Sequence, residues 1–319
     1  MIRTIILALA LAPTQLAAQA FPTKTVRIIS PYPTGAGPDT VARLLAEKMA
    51  KSWGQQVLVE ARPGGNGFIA IEAVKRGAPD GHEIVMVDSG HVAVNPSLFK
   101  RLPYDVDKDF APAALIYRTD FLIAVAANGP YATVGQMLDA AKKQPGRISY
   151  GTPFVGSPSH LGSALLELRT GTQMVHVPFK ETSQMTAAVA NGDVGWTLTT
   201  LATAGPLVRA GKVKFIGVAA KSRLAAAPDV PTVQESGGPA DYEVNAWVAW
   251  LVPKATPAGT VAAINREVNR VLGEADVRER MGTFGFTPLP SSPQALGDLI
   301  RADTSKYADL VRRTGATID

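Results

Sequence analysis

Residues 34 to 39, Thr-Gly-Ala-Gly-Pro-Asp, lie between a β-like run, VRIIS, and an amphipathic segment, TVARLLAEKMA. From Ser30 to Asp39 there are three prolines and two glycines but no lysine, cysteine or histidine. Thr34, Gly35, Ala36 and Gly37 bring consecutive peptide N–H groups and little side-chain bulk, a turn that can hold an anion at a helix start. Gly37 reads as the N-cap and Pro38 as the first helical residue, where the missing N–H of proline would be unused anyway. A hydrogen bond to a charged group contributes about 1.5–3 kcal/mol, so three give roughly 5–9 kcal/mol. Micromolar binding needs about 8 kcal/mol after ordering costs. One loop therefore anchors an acid, and a second surface must complete the grip. Asp39 beside that acid would repel it. Two roles are open to Asp39: helix-start electrostatics with an i, i+4 pair to Arg43, or orienting the loop or a bridging water. The loop as a whole also reads as an ordinary tight turn.

The same device recurs in GTPFVGSPSHLGSALLEL, residues 151 to 168. A strand leads through Thr152 and Gly156 into a helix start, with Ser157 as cap, Pro158 first in the helix, and Ser159 and His160 facing the turn. His160 reads as a capping or supporting histidine rather than a ligand contact. A third helix start at KETSQMTAAV offers Thr182, Ser183 and Gln184 as donors. Two helix N-termini facing each other would clamp a molecule bearing carboxylates.

Other chemistries fit less well. GGNGFIA contains G-x-G-x-x-A with Asp88 about twenty residues on, as a dinucleotide site wants, but its glycines follow ARPG instead of ending the strand. Ser159 and His160 lack a nucleophile elbow. His82, His91, His160 and His176 lack zinc-motif spacing, and the chain has no cysteine, so neither a metal nor a cofactor is expected. Of the four tryptophans, Trp196 and Trp247 fall near the ends of expected strands and are candidates to shape a pocket.

Strand-like and helix-like runs alternate through most of the chain, which predicts an α/β fold with mostly parallel sheets. The strand candidates cover 26–30, 56–60, 83–88, 121–127, 148–151, 174–179, 194–199, 213–220 and 246–252. Nine strands suit two sheets better than one. Proline-rich stretches at 103–112 and 228–239 read as hinges. They predict a discontinuous first lobe, 21–122 plus 240–319, and an inserted second lobe, 123–239. A cleft between lobes, at strand carboxyl ends, is where small ligands bind.

The 319 residues are 46% apolar and 18% charged, a globular balance, and the net charge of +5 is dispersed. No basic run suggests nucleic-acid binding. The first twenty residues, MIRTIILALALAPTQLAAQA, combine a basic start, a short apolar run and an Ala-Gln-Ala close. They read as a secretory signal peptide, and a periplasmic location is expected.

Together with VLVEARPGGNGFIAIEAV, APDGHEIVMVDSGHVAVNPSLFKRLPYDVDKDFAP, VHVPFK and PDVPTVQESG, these segments resemble the solute receptors of tripartite tricarboxylate transporters, the Bug family. The resemblance runs from about Phe21 to the C-terminus. It implies a two-lobed Venus-flytrap fold that binds small carboxylates without catalysis, acts as a monomer and docks transiently on a membrane permease. Presentation of the ligand to a sensor is the alternative. It also implies that Tyr32 to Asp39, Ser89, Gly156, Ser157 and His160 line the site. Ala36 and Pro38 depart from the family's loop pattern. Glu181 and Gly195 depart from its second-lobe pattern, where a glycine and an acid are usual. With Trp196 beside Gly195, a more apolar pocket is expected, suited to an aromatic acid or a longer dicarboxylate.

Overall fold

The computed structural model describes residues 21–153, 155–179, 182–315 and 318. The leader expected over residues 1–20, and Glu181, lie outside them. The elements in chain order are β1 (Val26–Ser30), α1 (Gly37–Trp53), β2 (Val57–Ala61), α2 (Phe68–Lys75), β3 (Glu83–Asp88), α3 (Asn95–Leu98), α4 (Val106–Asp109), β4 (Phe110–Asp120), β5 (Leu122–Ala126), α5 (Val134–Lys143) and β6 (Ser149–Thr152). There follow α6 (Pro158–Thr170), β7 (Val175–Pro178), α7 (Thr182–Asn191), β8 (Trp196–Thr199), α8 (Leu201–Arg209), β9 (Val213–Val218), β10 (Asn245–Pro253), α9 (Ala258–Leu272), α10 (Ala275–Gly282), β11 (Phe286–Pro288) and α11 (Pro293–Thr314).

Two sheets form two lobes. The first has six strands in the order β11-β4-β10-β3-β1-β2, the second five in the order β7-β6-β8-β5-β9. β1, β2 and β3 run parallel, as do β6, β7 and β8. Their runs are rich in β-branched residues, and β1 and β3 are buried almost throughout, as strands covered on both faces require. The first-lobe sheet is clad on one face by α1, α9 and α10 around Trp250, and on the other by α2 and α11.

Mixed sheets replace the mostly parallel ones expected. β10 is antiparallel to both β3 and β4, and β5 is antiparallel to both β8 and β9. The reason is connectivity: the chain enters the second lobe along one strand and returns along another. The entering strand, β4, was not expected, because Pro112 marked its start as a hinge. Pro112 sits where β4 slips register against β10, a place where a strand tolerates proline.

The crossings are also elsewhere. The 103–112 stretch stays in the first lobe, where Tyr104 and Phe110 are buried. The 228–239 stretch is fastened to the second: Thr232 bridges Val218, and Ser236 Oγ accepts the Val134 amide at 2.9 Å. The chain crosses instead at Phe121 and again at Val244. The Phe121 amide donates to Val244 O at 3.0 Å, and the Val244 amide to Ala219 O at 2.9 Å. The prolines shape packed turns, while the crossings are single extended residues hydrogen-bonded to one another.

Candidate functional site

The carboxyl ends of β1 and β3 open toward those of β6 and β8. Between them lie the turns that sequence singled out. In the first, Ala36 is the N-cap, with φ −62° and ψ 155° and no capping side chain; Gly37 is already helical. The expected cap is thus displaced by one residue. Gly35, at φ +84°, donates its amide to Asp39 Oδ2 at 2.9 Å, and the Ala36 amide donates to Pro33 O at 3.1 Å. These two amides are committed inside the turn, which corrects their expected role as ligand donors. Asp39 is buried and also accepts from Arg43 Nε at 2.9 Å and from its other guanidinium nitrogen at 3.1 Å. It fills both of its open roles at once: pairing with Arg43 and holding the loop. The first-turn amides of Gly37 and Asp39 have no carbonyl one turn below, and Thr34 is exposed.

The second turn is closed the same way. Gly156, at φ +81°, donates its amide to His160 Nδ1 at 3.0 Å, and the His160 amide donates to the capping Ser157 Oγ at 3.1 Å. Accepting at Nδ1 leaves the imidazole proton on Nε2. Burial, then the neighbouring His176, pushes the His160 pKa down to about 4, so the ring is neutral. His160 stacks on His176 with centroids 4.0 Å apart, and His176 Nε2 lies 2.6 Å from Thr152 Oγ1. Ser159 does not serve the turn: its hydroxyl donates to Leu198 O of β8. Thr182 is exposed at the start of α7.

At the end of β3 the expected site residues Tyr32 and Ser89 meet Asp88 and His91, which sequence does not place in the site. Tyr32 Oη donates to Asp88 Oδ2 at 2.6 Å, and the His91 amide donates to Asp88 Oδ1 at 3.0 Å. Burial opposes ionisation of Asp88, but the interaction with His91 and the hydrogen bonds from His91 and Tyr32 prevail and lower its pKa to about 2. Sequence relates Asp88 only to dinucleotide binding and His91 only to zinc; the local signal for their contact is the Asp-x-x-His spacing. Ser89 is fully buried, and its Oγ has no hydrogen bond of normal geometry.

The lobes meet around these turns. A Cβ on Gly37 would lie 3.5 Å from Ala202 Cβ in the first turn of α8, and one on Gly156 would fall 2.1 Å from Leu98 Cδ2 of α3. The α1 start therefore faces the α8 start, and the α6 start faces the α3 region, so the two proline-started helices do not directly oppose each other. Both candidate tryptophans are buried. Trp196 is wholly buried at the amino end of β8, its indole N–H directed at Met174 Sδ. Gly195 precedes it, packed on Ser149 and Ile148. Four residues of strand, about 10 Å, separate this end from the cleft, so neither residue makes the pocket apolar. Trp247 lies nearer, beside the end of β3, but is buried with its N–H donated to Asp303 Oδ2 at 2.6 Å.

A family model described as tripartite tricarboxylate transporter family receptor matches residues 41–316. The chain belongs to this family. It is a family of solute receptors, not of enzymes. Among relatives, the UPF0065 protein of the tcbD-tcbE intergenic region of Pseudomonas sp. (strain P51) is 32% identical over 292 residues, covering 92% of this chain and 87% of that one. An R. palustris protein solved with adipate superposes with a TM-score of 0.87 at 28% identity, covering 93% and 99% of the two chains. MatC from Rhodopseudomonas palustris with bound malate gives a TM-score of 0.81 at 32% identity, covering 91% and 100%. The two-lobed fold of this receptor is therefore that of periplasmic binding proteins.

Proposed function

We propose that this receptor is exported through its N-terminal leader to the periplasm, captures a small carboxylate-bearing solute between its lobes as a monomer, and hands it to the permease of a tripartite tricarboxylate-type uptake system. The observation that carries this reading is the duplicated turn: in each lobe a parallel strand is followed by a turn with a positive-φ glycine whose amide is fixed by the side chain four residues on. A helix start follows at once in both. A turn locked in this way holds the free amides of the helix start that follows it, so that they replace water around a carboxylate without reorganising, which is what a binding site needs. In the first lobe the amides of Gly37 and Asp39 and the Thr34 hydroxyl take the acid. Hinge closure about Phe121 and Val244 then adds Ser157, His160 Nε2–H and Thr182 from the second. The adipate and malate complexes of relatives support the ligand class. Calorimetric titration with a panel of C3–C8 mono- and dicarboxylates tests it. Binding in roughly the micromolar range is expected for at least one member; no heat from any carboxylate would refute it.

A further inference from the structure

We infer that the corner made by Tyr32 and Asp88 selects the far end of the solute, accepting a hydroxyl or ammonium there and rejecting a second carboxylate. This rests on the capture reading above and deepens it. β1 and β3 are adjacent and parallel, with Ile29 opposite Val85, so Tyr32 and Asp88 leave the sheet side by side. The Tyr32 phenol has one proton, and that proton is committed to Asp88 Oδ2 at 2.6 Å. What the phenol oxygen still offers is a lone pair. Asp88 accepts the His91 amide at Oδ1, and 19% of its side-chain surface remains open. Burial and the Asp88 charge push the Tyr32 pKa well above its ordinary value, so the phenol keeps its proton. Asp88 itself stays ionised. Neither group can donate to a carboxylate, and both can accept.

The corner stands at the boundary between the lobes. A Cβ on Gly90 would lie 3.0 Å from Asp88 Oδ1 and 3.8 Å from Pro158 Cδ at the start of α6. The Asp88 carboxylate is thus about one side chain away from the second-lobe anchoring turn. His91 adds no donor there. Its Nδ1 lies 3.1 Å from the Asp88 amide and 2.8 Å from Oδ1, so in either tautomer it serves Asp88. Its Nε2 edge packs on Gly67, where a Cβ would come within 2.4 Å. A second solute carboxylate at this corner would meet the fixed charge of Asp88 and the acceptor oxygens of Asp88 and Tyr32, the kind of mismatch from which specificity is built.

The test is calorimetry on the full mature chain with matched C4, C5 and C6 series: the diacid, the ω-hydroxy acid and the ω-amino acid of each length. At the best length the hydroxy or amino acid should bind at least about tenfold more tightly than the diacid. In Asp88→Asn, which keeps an acceptor for Tyr32, the diacid should gain until the ratio falls below about threefold. Tyr32→Phe, which leaves the charge in place, should weaken the hydroxy acid while the diacid stays excluded. A diacid bound as tightly as its partners by the wild type, or a ratio unmoved in both variants, would overturn the inference and leave carboxylate capture standing. Silence from every acid would overturn both.

Discussion

Asp39 and His160 each accept the amide of a positive-φ glycine four residues upstream, at 2.9 and 3.0 Å. One does it as a buried anion tied to Arg43, the other as a neutral imidazole. Asp39→Ala strands the Gly35 amide and unpairs Arg43; a loss of about 2–3 kcal/mol is expected in urea melts, with Asp39→Asn well short of that. His160 carries a pH signature. Its folded pKa is depressed to about 4 from 6.5, so between those values the unfolded chain binds a proton that the folded one refuses. Stability is complete above pH 6.5 and declines as pH falls toward 4, by up to about 3 kcal/mol. His176, depressed in the same direction by its burial, adds to the trend. His160→Gln keeps an acceptor for Gly156 and should flatten this window in denaturation profiles taken between pH 4 and 7. A profile as steep as that of the wild type would remove His160 as the cause.

At the scale of elements, the two anchoring helices differ in their caps. α6 has Ser157, and α1 has Ala36, which caps with nothing. With Pro38 at the second helical position, the amide left for a capping oxygen is that of Asp39, the same amide assigned to the solute. Ala36→Ser should therefore stabilise the protein by about 0.5–1 kcal/mol yet weaken solute binding, because the new hydroxyl competes for that amide. Thermal melts and titrations on one preparation check both signs; a gain in both would place the solute elsewhere. The anchoring helices were legible because proline, glycine and serine punctuate them directly: α6 begins at Pro158 as expected, and α1 begins one residue earlier than expected. The strands β1 and β3 were legible from their apolar runs. β4 was not, because Pro112 signals a break unless its partner Leu251, beside the register slip, is known. The Tyr32–Asp88 contact was not legible either, since its partners are 56 residues apart and meet only once β1 and β3 pair. Trp196 misled because residue type gives no sign of which end of β8 faces the cleft.

At the scale of the whole molecule, an apolar seam and the hinge both bear on closure. The seam joins Ala93, Val94 and Leu98 of the first lobe to Leu161 of the second, sealed by Tyr307 and Val311 of α11. Leu98 is its centre: it is buried, and it fills the space that a side chain at Gly156 would need. Truncating it acts on stability and on closure together. Leu98→Ala should cost about 2–4 kcal/mol by the usual transfer and cavity terms. If the seam also holds the lobes together, the variant should populate a more open form without ligand. Small-angle scattering then reads a larger radius of gyration for the unliganded variant, restored to the wild-type value at saturating solute. Its apparent affinity should fall by the fraction of molecules that must close first. Phe121 and Val244, hydrogen-bonded to each other, lie outside the seam. A Leu98→Ala protein that is less stable but equally compact and equally tight in binding would show that the seam belongs to the core, and that the hinge alone sets the angle between the lobes.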